Sequence, residues 1–183
     1  MRIIAGTFRG RKIKQPPLET VRPTKDRIRE SVFNIIAEKV PSSAVLDLFA
    51  GSGAYGLEAL SRGAKKATFV EKDKKCIDTL SGNILALSVE DASKVINEDA
   101  FKAMELLASG CEKFDLVFSD PPYGKGMAKK TLIMINHYDI LKPTGLLIIE
   151  HERAEEVPAK IGTFCVLKQK TYRDILISIF HKK

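Results

Sequence analysis

Tryptophan is absent from this 183-residue chain, and its three histidines and three cysteines fall in no pattern. Cys76, Cys111 and Cys165 are odd in number, far apart and without a Cys-x-x-Cys pair. That spacing excludes a disulfide framework and gives no zinc signature. His137, His151 and His181 are equally scattered, so neither a metal centre nor a histidine base is expected. No apolar run approaches the ~20 residues of a membrane-spanning helix, and no leader-like segment opens the chain. The expectation is a cytoplasmic protein with no membrane partner and one main domain. Internal repeats and low-complexity tracts are missing too.

What is present is charge of one sign at one end. Residues 1–29 hold nine basic side chains (Arg2, Arg9, Arg11, Lys12, Lys14, Arg22, Lys25, Arg27, Arg29) against Glu19 and Asp26, which accounts for the whole net charge of +7. Acids and bases balance over the rest. A basic segment gains free energy on a polyanion by releasing condensed counterions, without reading sequence. The plainer alternative is a solvated face. Phe8, Gly6, Gly10 and Pro16 among the charges favour a strand-and-turn arm laid along nucleic acid, although Phe8 and Ile13 also suit packing onto the main domain.

Arg2 to Lys14 reads as two short strands around Gly6 to Gly10, broken off by a Gln15 to Pro23 linker. This divides the chain into an arm and linker, 1–23, and a main domain, 24–183. Ile28, Val32, Ile35 and Ile36 fall on one face of a helix capped by Thr24 and ending before Pro41. Beyond it, buried-strand runs (Val45 to Phe49, Ala67 to Glu71, Lys94 to Asn97, Phe114 to Ser119, Leu146 to Glu150) alternate with helical stretches (Tyr55 to Ser61, Lys74 to Leu87, Ala100 to Ala108, Met127 to Leu141). Such alternation predicts an α/β Rossmann-like fold, a mainly parallel, doubly wound sheet with helices on both faces. Phe164 to Gln169 and Ile175 to Phe180 are joined too closely for a crossover helix and should form an antiparallel hairpin at the sheet's end.

Gly51-x-Gly53-x-x-Gly56 follows the first strand and opens a helix, where glycine allows a tight turn and close approach to a ligand. Alone, the pattern is a weak signal, since a glycine-rich turn that only packs strand on helix gives it too. Glu71 closes the second strand at a distance suited to ribose hydroxyls, Asp99 ends the third within reach of an adenine amine, and Asp120 ends the fourth. Each acid by itself suits a helix cap; together they outline one crevice at the carboxyl edge. Between a dinucleotide and S-adenosylmethionine, Asp47 just before the glycines favours the cationic ligand over a phosphate.

Asp120-Pro121-Pro122-Tyr123 is the sharpest signal. The lone pair of a nucleobase amine is delocalised into the ring, which makes it a weak nucleophile. The Asp120 carboxylate and Pro121 carbonyl supply acceptors that hold both amine hydrogens and localise that pair. Proline stiffens the loop, and Tyr123 stacks on a base taken out of its stack. No strong base is required, since positioning supplies much of the rate.

Taken together, Asp47-Leu48-Phe49-Ala50-Gly51-Ser52-Gly53, Leu57 to Ala64 and Asp120-Pro121-Pro122-Tyr123 resemble the class I S-adenosylmethionine-dependent amino-methyltransferases. Arg2 to Gly6, Arg9 to Lys12, Arg22-Pro23-Thr24, Arg27, Arg29-Glu30 and Phe33-Asn34 make nearly the whole chain similar to the RsmD family of 16S ribosomal RNA guanine-N2 methyltransferases. The resemblance implies a seven-stranded sheet with an amino-terminal hairpin, S-adenosylmethionine as cofactor at Asp47, Gly51, Gly53, Glu71 and Asp99, and amine capture by Asp120, Pro121 and Tyr123. It also implies one guanine of small-subunit ribosomal RNA as substrate, met within the subunit or an assembly intermediate. Arg2, Arg9, Arg11, Lys12, Arg22 and Arg27 are the candidate phosphate contacts, and a monomer is expected. Tyr55 and Ser119 depart from the family pattern, which usually has a smaller aliphatic residue and an apolar one there. Two alternatives stay open: an adenine or cytosine amino-methyltransferase acting on DNA or RNA, and an inactive RNA-binding assembly factor on the same scaffold.

Overall fold

The computed structural model describes residues 1–16, 23–124 and 126–183. Arg22 and most of the linker lie outside them. Eight strands form one sheet: β1 (Ala44–Leu48), β2 (Lys66–Glu71), β3 (Ser93–Asn97), β4 (Phe114–Ser119), β5 (Leu141–Glu152), β6 (Lys160–Ile161), β7 (Phe164–Tyr172) and β8 (Ile175–Lys182). Their order is β3-β2-β1-β4-β5-β8-β7-β6, parallel from β3 to β5 and antiparallel beyond. The expected doubly wound sheet and terminal hairpin are both present. The strand count is eight rather than seven, because the two-residue β6 adds an edge rung on β7; so short a segment has no alternation to read.

Among the described residues five α-helices complete the layers: α1 (Pro23–Ile35), α2 (Ala54–Ser61), α3 (Lys74–Leu87), α4 (Ala100–Ser109) and α5 (Met127–Tyr138). Helix α1 starts at Pro23, so Thr24 sits inside the first turn instead of capping it; proline suits that first position, where no amide donor is needed. Helix α5 stops at Tyr138, short of the expected Leu141, with Asp139 in left-handed backbone at φ 51°. Leu141 already pairs with Phe114 as the first rung of β5. Because strand residues alternate faces, the core has two halves. Val45, Leu116, Phe118 and Ile148 pack under α1, α2 and α3. Leu46, Leu48, Val117 and Ile149 pack under α4 and α5. Every residue of β1 is buried, as befits a central strand covered on both faces. Among the described residues no helix is long and apolar enough to cross a membrane.

The amino-terminal arm is thinner than two strands, with one antiparallel bridge, Arg2↔Lys12. Its two segments exchange a few backbone hydrogen bonds, Ile3 N to the Arg11 carbonyl at 3.0 Å, Gly10 N to the Ile3 carbonyl at 2.9 Å and Ile13 N to the Met1 carbonyl at 3.2 Å, and side chains of the main domain take up others. Glu58 of α2, fully buried, accepts hydrogen bonds from Ile4 N at 2.8 Å and Ala5 N at 3.0 Å. Ser61 Oγ accepts from Phe8 N at 3.0 Å, and Gly6 lies so close to the Ser61 carbonyl that a β-carbon would sit 1.8 Å from its oxygen. Ile3 and Ile13 join the same core as the sheet, and Phe8 packs against it half-buried. Arg29 is buried as well. Its guanidinium donates to the Arg2 carbonyl at 2.7 Å and lies 3.7 Å from Glu58, which also pairs with Arg62 at 2.8 Å. Glu58→Gln leaves two guanidinium groups without their shared charge and turns an amide N–H toward an arm donor. Thermal denaturation is expected to show a loss of roughly 2 kcal/mol, about 4–8 °C for a domain of this size.

Candidate active site

The sheet order reverses between β1 and β4, and ligands of doubly wound folds bind in the crevice at the carboxyl ends of the strands there. A cavity of about 310 Å³ opens at that point. Asp47, Gly51, Glu71, Asp99, Asp120, Pro121 and Tyr123 all line it, so seven of the eight expected cofactor and amine-loop residues are brought together. Gly53 is the exception. It stands behind the wall at φ 81°, where a β-carbon would meet Leu80 Cδ1 at 2.4 Å, so its need for glycine comes from the turn and the packing of α3.

Each acid has a defined holding. Asp47 Oδ2 accepts from Gly56 N at 2.9 Å, in the first turn of α2. Burial pushes its pKa up to about 8; the Gly56 amide works against this, while the charges of Asp120 and Glu71 add to it. Glu71 Oε2 accepts from Gly51 N at 2.9 Å and its Oε1 from Lys72 N and Asp73 N at 2.8 and 2.9 Å, so this carboxylate fixes the glycine loop. Asp99 caps α4, accepting from Phe101 N at 3.0 Å, with its other oxygen 3.7 Å from Lys72 Nζ. The loop between β1 and α2 is strained at its start, where Phe49 takes φ 59°.

The cavity also holds residues that the sequence reading passed over. Glu98 and Glu150 bring its acids to six, against Arg29 and Lys72 among the described basic side chains. Glu150 is buried and accepts from Tyr123 Oη at 2.7 Å and Tyr55 Oη at 3.2 Å. Tyr55 is therefore no mere departure: its ring stacks on Phe118 with centroids 5.1 Å apart, and burial followed by the charge of Glu150 keeps its phenol protonated. The other departure, Ser119, is buried with its hydroxyl unpaired and does not line the cavity. Glu150 was within reach of the argument used for Glu71, Asp99 and Asp120, since it too lies near the end of a strand run.

The basic candidates lie apart from the cavity. Arg2, Arg9, Arg11 and Lys12 are exposed on the arm and Arg27 on α1, while Arg22 falls outside the described residues. Residues 1–14 of the arm nevertheless touch the site twice. Met1 lines the cavity, and Asn83 donates to the carbonyls of Lys14 and of Ser52 in the glycine loop, both at 2.9 Å. No group of three or more His, Cys, Asp or Glu suited to a metal ion occurs among the described residues.

Comparison with known proteins adds to this geometry. A family model described as Conserved hypothetical protein 95 matches residues 1–181. The chain is 34% identical to the ribosomal RNA small subunit methyltransferase D of Escherichia coli K12 over 183 residues, all of this chain and 90% of that protein. It is 37% identical to the Haemophilus influenzae protein of the same name over 93% of this chain and 88% of that one. The solved structure of yhhF from Escherichia coli superposes with a TM-score of 0.87 at 31% identity, covering 100% of this chain and 98% of the other.

Proposed function

The chain belongs to the Conserved hypothetical protein 95 family, and from that premise we propose that it methylates the exocyclic N2 amine of one guanine in small-subunit ribosomal RNA. The ribosomal RNA named for its relatives supports the substrate class. The observation that carries the reading is the opening of the Asp120-Pro121-Pro122-Tyr123 loop into an acid-lined cavity at the sheet's switch point.

S-adenosylmethionine supplies an electrophilic methyl group and brings a sulfonium and an ammonium. With Asp47 held neutral by burial, the five other carboxyl groups still outnumber Arg29 and Lys72 among the described residues, which gives the cavity the sign that suits such a cation. A pyrophosphate fits poorly, because the anion position at the start of α2 is already filled by the Asp47 carboxyl. Glu71 and Asp99 keep acceptor oxygens at the cavity wall for ribose and adenine donors. Asp120 and the Pro121 carbonyl take the two hydrogens of the target amine, which directs its lone pair, and Tyr123 sets the plane of the base. The test is methyl transfer from labelled S-adenosylmethionine to small ribosomal subunits, and to protein-free RNA, from cells lacking the protein. N2-methylguanosine is the expected product; methylated adenine or cytosine would overturn the assignment of the base, and no transfer would favour an assembly factor.

The arm, 1–23, is the phosphate-holding extension. Residues 1–14 of it run from the cavity at Met1 to Ser61 at the far end of α2 and back to Asn83, with Arg2, Arg9, Arg11 and Lys12 exposed along the way. The Arg9→Ala, Arg11→Ala, Lys12→Ala triple variant is expected to bind RNA roughly 10–100-fold more weakly near physiological salt and to reduce the slope of log affinity against log salt by about 2–3. Filter binding across a salt series measures both, and an unchanged slope would place the phosphates elsewhere.

A further inference from the structure

Charge balances beyond residue 29 only as a whole. From residue 157 onward, Lys160, Lys168, Lys170, Arg173, Lys182 and Lys183 stand against Asp174 alone. Three of these basic residues gather on the β7–β8 hairpin. Ile175, Ile177 and Ile179 of β8 belong to the core half under α1, and their register partners on β7 are Tyr172, Lys170 and Lys168, so these three share that face of the sheet. Lys168 and Lys170 are exposed; as alternate residues of a strand they stand about 6.7 Å apart. Lys170 Nζ donates to Ser31 Oγ of α1 at 2.7 Å and lies 5.3 Å from the centre of the Tyr172 ring. Arg27, exposed one turn before Ser31, continues the row onto α1. Arg173 is exposed at the hairpin's tip. Asp26 is taken up by Arg29 at 3.2 Å, which leaves Glu30 of α1 and Asp174 of the turn as the opposing acids on these elements.

Lysines on an outer strand also guard it against pairing with other chains, and β6 covers β7 only at Phe164 and Cys165. Edge protection does not call for the arginine at the tip. Arg173 takes φ 53° in the turn between the paired Tyr172 and Ile175, where glycine or asparagine fits at lower cost. Nor does it account for where the hairpin lies. Ile177 pairs with Lys170 on one side and with Glu150 of the cavity wall on the other, so Lys170 stands two strand spacings, ~9.6 Å, from that wall. The arm lies on the opposite flank, against α2 and α3, which pack on β1, β2 and β3. Resting on the amine-transfer reading above, we propose that the β7–β8 hairpin is a second RNA-binding surface: Lys168, Lys170 and Arg173, continued by Arg27, take backbone phosphates on the far side of the target nucleotide from the arm. The RNA is thereby held on both sides of the cavity, which fixes the segment from which a base is turned out into the site.

Lys168→Glu combined with Arg173→Glu tests the sign of the charge, since glutamate guards a strand edge as lysine does but repels phosphate. Filter binding to protein-free small-subunit RNA across a salt series should show affinity roughly 10–100-fold lower near physiological salt and a slope of log affinity against log salt reduced by about 2. Lys168→Arg combined with Lys170→Arg should stay within about two-fold of the parent, because phosphate contacts of this kind need the charge. Arg173→Gly separates binding from folding and carries the test if the glutamate variant does not fold. Its affinity should fall roughly 3–10-fold while the melting temperature holds or rises, because glycine relieves the left-handed backbone. Joined to the arm triple variant, the slope losses should add, as expected of surfaces that lie apart. Unchanged affinity and slope in a folded hairpin variant, beside a salt-dependent parent, would overturn the proposal and leave amine transfer intact. A loss on whole small subunits without one on protein-free RNA would overturn it as well, since the hairpin would then meet an acidic protein surface. Failure of the parent protein to form N2-methylguanosine would overturn the reading beneath it, and the parent assay alone reveals that.

Discussion

Asp120→Ala is expected to lower kcat for methyl transfer by about 10²–10³-fold, the usual cost of deleting one preorganised polar partner of the reacting group, while RNA affinity stays within a few-fold of the parent. The separation follows from position. Asp120 lies at the mouth of β4 in the cavity, whereas the exposed basic candidates Arg2, Arg9, Arg11, Lys12 and Arg27 lie along the arm and α1. Its carboxylate touches no phosphate in this scheme, and removing a negative charge does not weaken a polyanion. Asp120→Asn is the informative companion. Asparagine keeps one acceptor oxygen, so it should retain more activity than alanine if the residue localises the amine lone pair. Were Asp120 a general base, both variants would lose activity equally, because neither takes a proton. Single-turnover rates with saturating RNA, alongside filter binding, distinguish these results. A variant that bound RNA as weakly as the arm triple would show that Asp120 holds the substrate and not the reacting amine.

How much of this was legible depends on the distance over which each residue finds its partner. The runs Val45 to Phe49, Ala67 to Glu71 and Phe114 to Ser119 became strands nearly as bounded, because a buried parallel strand is apolar along its whole length and declares itself locally. The Asp-Pro-Pro-Tyr loop was equally visible, since its residue types are contiguous. Arg29 was not. It counts among the basic residues of the amino end, yet it is 2% exposed, because Glu58, 29 positions away, and the Arg2 carbonyl enclose it. Nothing in the local sequence marks a buried arginine. Gly53 looked like a ligand-facing glycine, but its constraint is Leu80 on a helix still to come. Glu150 was missed although the strand-end logic reached it; its tie to Tyr55 crosses 95 positions and appears only when β5 is laid beside β4.

Asp47→Asn is expected to stabilise the protein without ligand and to weaken cofactor binding, and the pH dependence of both effects gives the test. The ordinary pKa of 3.8 rises to about 8 at this site, with burial as the first cause. From about pH 4 to pH 8 the unfolded chain therefore carries an ionised Asp47 and the folded one a protonated Asp47, so the folded state binds more protons. Stability falls with rising pH across that window: the favourable contribution of Asp47 is complete below pH 4 and lost above pH 8. Asparagine keeps an oxygen for Gly56 N and never ionises. Its melting temperature should match the parent near pH 4 and exceed it near pH 8 by an amount on the order of 3 kcal/mol, about 6–12 °C. Ligand binding reverses the advantage. A cation placed among these carboxyl groups favours ionised Asp47, so binding of S-adenosylmethionine near pH 7 should release up to one proton and strengthen as pH rises. In the variant the affinity should fall roughly 10–100-fold, the proton release should vanish, and the dependence on pH should flatten. Calorimetric titration in two buffers of different ionisation enthalpy counts the proton. Equal release from parent and variant would mean that a group other than Asp47 answers the cation.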